Sequence, residues 1–215
     1  MKTKRLLSGV ALFAVVMLIT MFVLNPLVRL AGSLIGRVLI YCIYAAVAWG
    51  AAKLIKLSNE EIGFSKDGEG AQVAWGLGLA LALLLVFVGA PRLAGIAWEN
   101  ILPAKPGAAG MLMYSLMLRF IFVGPVEEYA FRGVIMPALQ SGTGSKLAAA
   151  LISSAMFGAW HYITSGNIAQ VIVTGVIGLW FALARLYIPK CSLASCAIGH
   201  GLYDCGLVVL SWVVG

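Results

Sequence analysis

Charged side chains are scarce in this sequence. Asp, Glu, Lys and Arg together make up 11% of the 215 residues, whereas hydrophobic residues make up 62% and the mean hydropathy is +1.00. Ordinary soluble domains contain about 25% charged and about 45–50% apolar residues. The composition therefore excludes a soluble globular protein and predicts a single polytopic membrane domain.

Signatures of several other classes of protein are also missing. The net charge is +7, but Lys and Arg stand singly between apolar runs, without the basic cluster of a nucleic-acid-binding protein. The four cysteines form no CxxC pair, which favours free buried thiols over a disulfide framework. Cys196 precedes His200 by four residues, a spacing that also permits a Cys–His nucleophile. No internal repeat is evident, which weakens the hypothesis of a transporter built from inverted repeats.

The sequence instead contains several long apolar runs. They predict an all-α polytopic transmembrane bundle of about seven spans, with a range of six to eight. The predicted ranges are 6–24, 38–52, 71–90, 111–139, 146–162, 168–187 and 192–214. The first run is longer than the ~7–15 apolar residues of a signal peptide, so it is interpreted as a membrane helix that ends at Asn25-Pro26. Pro91 is expected to begin an outer loop.

The distribution of basic residues predicts the orientation in the membrane. With the N-terminus in the cytoplasm, the cytoplasmic side carries Lys53, Lys56, Lys66, Lys146, Arg185 and Lys190, and the outer side carries Arg29, Arg37, Arg92 and Lys105. This is a modest positive-inside bias. The small size and short tails favour a bacterial plasma membrane.

The few polar side chains inside the apolar runs carry the functional signal. Three of the eight acidic residues lie there, namely Glu127, Glu128 and Asp204, and so do both histidines, His161 and His200. A charge at bilayer depth costs roughly 2.5–3.5 kcal/mol on insertion scales, so such residues are rare and usually functional. Their coincidence predicts an intramembrane site.

Helical spacing assigns different environments to the two adjacent glutamates. Glu128 and Arg132 are four residues apart, so they share a helix face and can form an ion pair. Glu127 is rotated about 100° from Glu128 and is left free to point elsewhere. His200 and Asp204 also share a face, so Asp204 can either bond the imidazole or lie beside it in the same cavity. The predicted depths allow Glu127 and these side chains to converge with His161.

Three short motifs resemble those of the CPBP family of intramembrane proteases, which groups CAAX prenyl proteases with bacteriocin-processing and Abi-type membrane proteins. They read Glu127-Glu128-Tyr129-Ala130-Phe131-Arg132, Phe157-Gly158-Ala159-Trp160-His161 and His200-Gly201-Leu202-Tyr203-Asp204. The resemblance covers roughly Met111 to Val214, and it implies a core of four helices that carries the site. We therefore divide the single membrane domain into N-terminal helices with a cytoplasmic loop (1–110) and a catalytic core (111–215).

The resemblance also implies roles for the motif residues. Glu127 and His161 would activate water, and His200 with Asp204 would orient the substrate carbonyl or stabilise the tetrahedral intermediate. Glu128, Arg132 and Phe157 would support them. Many members have Asn where this chain has Asp204, and an ionised carboxylate can only accept hydrogen bonds, which argues against an oxyanion-stabilising role. The expected activity is hydrolysis of a peptide bond in a membrane-associated substrate, either of the CAAX type or a bacteriocin or leader peptide.

Three alternatives remain open at this stage. Glu127, His161 and His200 are the residue types of a His₂Glu zinc site, although no HExxH is present and the resemblance favours a mechanism without a metal cofactor. The polar residues would also suit a non-hydrolytic scaffold or bacteriocin-immunity protein, or a small proton-coupled transporter. The expected partners are membrane lipids and a peptide or lipidated-protein substrate, with no nucleic acid. The sequence assigns no oligomeric state.

Overall fold

A computed structural model describes residues 2–31, 33–64 and 68–215. Its helices are α1 (Lys2–Phe22), α2 (Leu24–Ala31), α3 (Ser33–Leu54), α4 (Asn59–Ile62), α5 (Glu69–Leu93), α6 (Ala109–Thr143), α7 (Lys146–Ser165), α8 (Ile168–Tyr187) and α9 (Leu193–Val214). Within these described residues, seven helices are long and apolar enough to cross a membrane: α1, α3 and α5 to α9. The prediction of an all-helical bundle with seven spans is confirmed. Lys66, assigned above to the cytoplasmic side, lies outside the described residues.

Two span ends differ from the sequence prediction. Helix α1 ends at Phe22, and the chain continues at once into the short α2, so Asn25-Pro26 does not begin an extended loop. Helix α5 continues through Pro91 to Leu93. The helix continues because a π-helical segment, Leu85–Gly89, precedes the proline, and the Ala90 N–H donates to the Leu85 carbonyl five residues back.

In the two longest helices, α5 and α6, a π-helical segment precedes each proline. Segments of π-helix cover Leu85–Gly89, Leu118–Val123 and Tyr129–Ile135. Each segment ends two residues before a proline: Pro91, Pro125 or Pro137. Proline has no N–H, and its ring clashes with the carbonyl four residues back. The residue before each proline instead donates to the carbonyl five residues back, as Gly124 does to Arg119 and Met136 does to Phe131.

Glycine lets the helices approach closely where the polar residues lie. A Cβ atom placed on Gly124 of α6 would lie 2.7 Å from the backbone N of Gly201 in α9. A Cβ atom on Gly158 of α7 would lie 2.4 Å from the carbonyl oxygen of Val171 in α8. Small residues at helix crossings are the usual basis of close packing in membranes. Helices α6 and α9, and α7 and α8, are thus held at backbone contact.

The ends of the helices form two faces. On the first face, Arg5 pairs with Glu61, Arg185 donates to the Glu61 carbonyl at 2.6 Å, and the Leu193 N–H donates to the Gly63 carbonyl at 3.1 Å. We call this the basic face.

The other ends of the same helices meet on the opposite face. There the Tyr114 hydroxyl donates to the Leu34 carbonyl at 2.7 Å, and the Lys105 ammonium lies 5.5 Å from the Trp212 ring. Every span therefore connects the basic face to the opposite face, and the polar residues lie between them.

Candidate active site

The adjacent glutamates lie on a short α-helical segment, Gly124–Glu128, between two π-helical segments of α6. Both are buried, with 4% of Glu127 and 0% of Glu128 exposed. Glu127 Oε1 accepts a hydrogen bond from the Tyr41 hydroxyl at 2.9 Å, whereas Glu128 Oε1 accepts from Arg132 at 3.1 Å. The structure therefore separates the two carboxylates, in agreement with their helical spacing.

The Glu128–Arg132 pair is fully enclosed. Both side chains have no exposed surface, and the guanidinium lies 4.4 Å from the ring centroid of Phe157. Arg185 donates to the Arg132 backbone carbonyl and so connects this pair to α8. Breaking a buried pair by removing one partner typically costs about 3–5 kcal/mol, because the other charge is left uncompensated. The pair fixes α6 in this position.

His200 lies between the two glutamates. Its Nδ1 is 2.9 Å from Glu128 Oε1, and its Nε2 is 3.8 Å from Glu127 Oε2. The hydrogen bond to a carboxylate oxygen that also accepts from Arg132 places a proton on Nδ1. Phe181 stacks on the imidazole, with 5.6 Å between ring centroids. Of the two options that the sequence left open for Asp204, the structure shows the second: Glu128, not Asp204, bonds the ring.

His161 approaches the same space from α7. Its Nδ1 is 2.9 Å from the carbonyl oxygen of Phe157, which can only accept, so Nδ1 carries a proton and Nε2 is left as an acceptor. The Phe157 ring is edge-on to His161 at 4.6 Å and to His200 at 6.0 Å. Phe157 thus positions both imidazoles and covers the Arg132 guanidinium.

One cavity joins these groups. It has a volume of about 1250 Å³, and Glu127, His161, His200 and Asp204 all line it. Buried Glu127 Oε2 makes no hydrogen bond with any residue of the described ranges. A buried carboxylate oxygen without a partner is uncommon and needs an explanation. Here it can accept from a water molecule or a substrate group in the cavity.

The alternative ligand and nucleophile sets are less well supported by the geometry. In the part of the chain that the structure describes, no group of three or more His, Cys, Asp or Glu side chains is arranged to hold a metal ion. The zinc alternative with Glu127, His161 and His200 stays a prediction. Cys196 is fully buried, and its thiol donates to the Phe181 carbonyl at 3.6 Å. This contact does not support a nucleophile activated by His200.

None of the three sequence motifs contains Tyr41, so its contact with Glu127 was not predicted. This residue lies on α3, half-buried, and its hydroxyl is the hydrogen-bond donor to Glu127. Its ring is edge-on to Tyr44 at 5.8 Å, and the Tyr44 hydroxyl is 2.6 Å from the Thr20 hydroxyl, which also accepts from the Trp160 indole at 2.8 Å. Polar aromatics in an otherwise apolar span are a weak signal, because most of them belong to the membrane interface.

Comparison with known proteins finds one family match, in the C-terminal helices. Residues 109–206 match the family model of the Rce1-like type II CAAX prenyl endopeptidases. The match runs from the start of α6 into α9 and contains all three motifs. No curated protein and no solved structure matches the chain. Over residues 109–206, the chain is therefore similar to the Rce1-like type II CAAX prenyl endopeptidases.

Proposed function

We propose that this protein hydrolyses a peptide bond in a membrane-associated substrate, using water activated by Glu127 and His161. The observation that carries the proposal is the unpaired Oε2 atom of buried Glu127, which lies 3.8 Å from His200 Nε2 in the cavity shared with His161 and Asp204. A general base needs a free acceptor within reach of the proton that it removes. Glu127 meets this condition because it lines the cavity, whereas Glu128, whose Oε2 is also unpaired, is fully enclosed and does not line it.

The proposed reaction uses only side chains of this chain. Glu127 removes a proton from water while His161 Nε2 accepts the second hydrogen bond and orients the oxygen. The water oxygen adds to the substrate carbonyl carbon, and the C–N bond then breaks as the proton on Glu127 passes to the leaving amine. General acid–base catalysis of this kind contributes about 10²–10⁴-fold to the rate.

His200 and Asp204 are assigned different roles. In the protonated form of His200, Nε2–H can donate to the developing oxyanion, while Glu128 holds Nδ1. Asp204 lines the same cavity, but an ionised carboxylate cannot donate. We assign it to accept a backbone N–H of the substrate and so to position the chain.

The family similarity supports a proposal for the substrate, and the small size of the chain supports one for the setting. We propose a peptide or lipidated protein, either of the CAAX type or a leader-type peptide, in a bacterial plasma membrane. Membrane lipids are the other partner, and no cofactor is needed for the steps above. The zinc hypothesis is tested separately: activity should be unchanged after metal has been removed and its removal verified, and loss of activity that zinc restores would contradict the proposal.

The decisive experiment compares two glutamate-to-glutamine variants on a panel of prenylated and unprenylated peptides. Glu127→Gln should reduce kcat by about 10²–10⁴-fold, because the amide cannot take a proton from water. Glu60→Gln changes an exposed carboxylate on the basic face and should retain activity. If a purified, folded Glu127→Gln protein cleaves peptides at the normal rate, the proposed mechanism is wrong. If the wild type cleaves none of them and Glu127→Gln still supports the cellular phenotype, the scaffold hypothesis is correct.

A further inference from the structure

The cavity at Glu127 extends to one of the two faces. Its lining extends from Glu127 and His200 to the opposite face, where it reaches four exposed polar residues: Glu99, Asn100, Thr164 and Asn167. Glu99 and Asn100 lie in the connection between α5 and α6, and Thr164 and Asn167 at the turn between α7 and α8. A substrate can therefore reach Glu127 between these two connections.

The route towards the basic face is closed. Residues 130–139 of α6 continue from the glutamates in that direction, and all ten are buried. Among them, Arg132, Ile135, Met136 and Leu139 have at most 1% of their surface exposed. A second cavity of about 780 Å³ lies on the basic face, lined by residues such as Glu61, Gln140 and Arg185, but it includes none of Glu127, His161, His200 and Asp204. The two cavities are thus separate.

The basic residues are divided unequally between the faces. Eight of the fourteen Lys and Arg residues that the structure describes belong to the basic face by their position at the helix ends or in its connections: Lys2, Lys4, Arg5, Lys53, Lys56, Lys146, Arg185 and Lys190. Four belong to the opposite face: Arg29, Arg37, Arg92 and Lys105. The other two, Arg119 and Arg132, lie within α6. Short connections rich in Lys and Arg remain in the cytoplasm during insertion.

We infer that the active-site cavity opens to the exoplasmic side of the membrane and receives its substrate there. Of the two substrate classes proposed above, this selects the leader type, a secreted or surface-anchored polypeptide whose cleavable segment lies at the outer leaflet, over the CAAX-type tail of an intracellular protein. The opening is independent of the chemistry, but the statement about substrate rests on the proposed peptidase function. The two parts are therefore tested by different measurements.

The opening is tested by labelling single cysteines with a membrane-impermeant maleimide. The four native cysteines are replaced by alanine, and Asn167→Cys at the cavity mouth is compared with Glu60→Cys on the basic face. In intact spheroplasts Asn167→Cys should be labelled and Glu60→Cys should not, and inverted vesicles should give the reverse. Labelling of Glu60→Cys in spheroplasts, with protection of Asn167→Cys, would overturn the inference.

A second measurement keeps the native cysteines in case their removal prevents folding. Gly215 lies beside Lys105 on the opposite face, so an epitope tag placed after Gly215 should be digested by a protease added to spheroplasts. A tag that is digested only in inverted vesicles would overturn the inference in the same way.

Access of the substrate is tested with a peptide that does not cross membranes. Sealed right-side-out vesicles should cleave it, inverted vesicles should cleave it only after detergent is added, and Glu127→Gln should cleave it in neither. Cleavage by sealed inverted vesicles alone would overturn exoplasmic access while supporting the peptidase function. Failure to cleave in any preparation, including detergent, would contradict the proposed function, and the labelling result would still decide the side on which the cavity opens.

Discussion

The imidazole of His200 lies between two carboxylates that have different tasks. Glu128 accepts from both His200 Nδ1 and Arg132, and it is wholly enclosed. Each carboxylate has one oxygen without a partner among the described residues, but only Glu127, which faces Nε2 at 3.8 Å, lines the cavity. The first carboxylate therefore neutralises and positions, and the second is available for proton transfer. Two adjacent residues of the same type acquire these roles because helical rotation directs them to different neighbours.

We predict that Tyr41 positions the proposed base, Glu127. Its hydroxyl holds Glu127 Oε1, which directs the other carboxylate oxygen to the cavity. Tyr41→Phe should lower kcat by about 10- to 100-fold, since a hydrogen bond to a charged group contributes about 1.5–3 kcal/mol. KM should change little, because the phenol hydroxyl is already engaged by Glu127. Steady-state kinetics on a peptide substrate measure both parameters.

The control for this variant is Tyr162→Phe, which removes the hydroxyl of an exposed tyrosine next to His161. It should keep the kcat of the wild type. Equal losses in the two variants would show that Tyr41 has no special role, and an increase in KM with unchanged kcat would show that Tyr41 acts in substrate binding.

At the scale of elements, the position of Glu127 depends on how α6 is wound and on how closely it approaches α9. Two π-helical segments flank the glutamates, each followed by a proline. Counting residues on a regular helix describes the Glu128–Arg132 pair correctly, because the pair spans only one turn. It does not give the orientation of residues farther along α6, since each π-helical segment changes the rotation between the flanking turns.

The close contact between α6 and α9 at Gly124 is expected to hold the glutamates beside His200. Gly124→Ala places a methyl group 2.7 Å from the Gly201 nitrogen and 2.9 Å from the Ala197 carbonyl oxygen, so the two helices must separate. Peptidase activity should fall at least tenfold, because Glu127 and Glu128 move away from His200 and near-attack geometry is sensitive to shifts of about 1 Å.

Gly78→Ala is the matched control, since a Cβ atom at Gly78 of α5 meets nothing within 4 Å. This variant should keep its activity and gain slightly in thermal stability, because glycine within a helix costs roughly 0.5–1 kcal/mol relative to alanine. Full activity of Gly124→Ala would show that the backbone contact between α6 and α9 does not determine the site.

At the scale of the whole molecule, the N-terminal helices complete the site and are not merely an anchor for it. Tyr41 of α3 reaches Glu127, and Thr20 of α1 accepts from Trp160 of α7. Arg5 of α1 pairs with Glu61 and lies 3.3 Å from the Ser141 hydroxyl of α6. One buried apolar cluster includes residues from α1, α3, α6 and α7. The division into residues 1–110 and 111–215 stays a prediction, and the contacts cross it at several points.

The Arg5–Glu61 pair gives a pH-dependent prediction for the assembly of the basic face. Partial burial raises the pKa of Glu61, but hydrogen bonds from the Ser58 backbone N–H and from Arg5 outweigh it and hold this pKa below its ordinary value of 4.5. A lowered pKa in the folded state means that Glu61 stabilises the protein above the unfolded-state value and loses this contribution as the pH falls through the folded-state value.

Thermal unfolding in detergent should therefore show Glu61→Gln as less stable than the wild type at pH 7, with the difference decreasing as the pH falls below 4.5 and through the folded-state pKa of Glu61. Glu60→Gln, the exposed neighbour, should match the wild type at both pH values. A difference between Glu61→Gln and the wild type that persists unchanged at low pH would show that the carboxylate charge is not what stabilises this contact.

The sequence by itself determined the class of the fold and the identity of the polar residues. Seven apolar runs specify seven spans because the bilayer sets the length of each helix. Glu127, Glu128, His161, His200 and Asp204 are conspicuous because polar groups in lipid are costly. The family match from residue 109 to 206 agrees with the three motifs that carried the resemblance.

Only the tertiary structure decided which of these groups meet. It placed His200 against Glu128 rather than Asp204, and it brought Tyr41 from a helix outside the matched region to Glu127. It also showed that the cavity opens on one face and is closed by residues 130–139 on the other. These facts depend on distances between helices that are far apart in the chain, and local spacing along one helix contains no information about them.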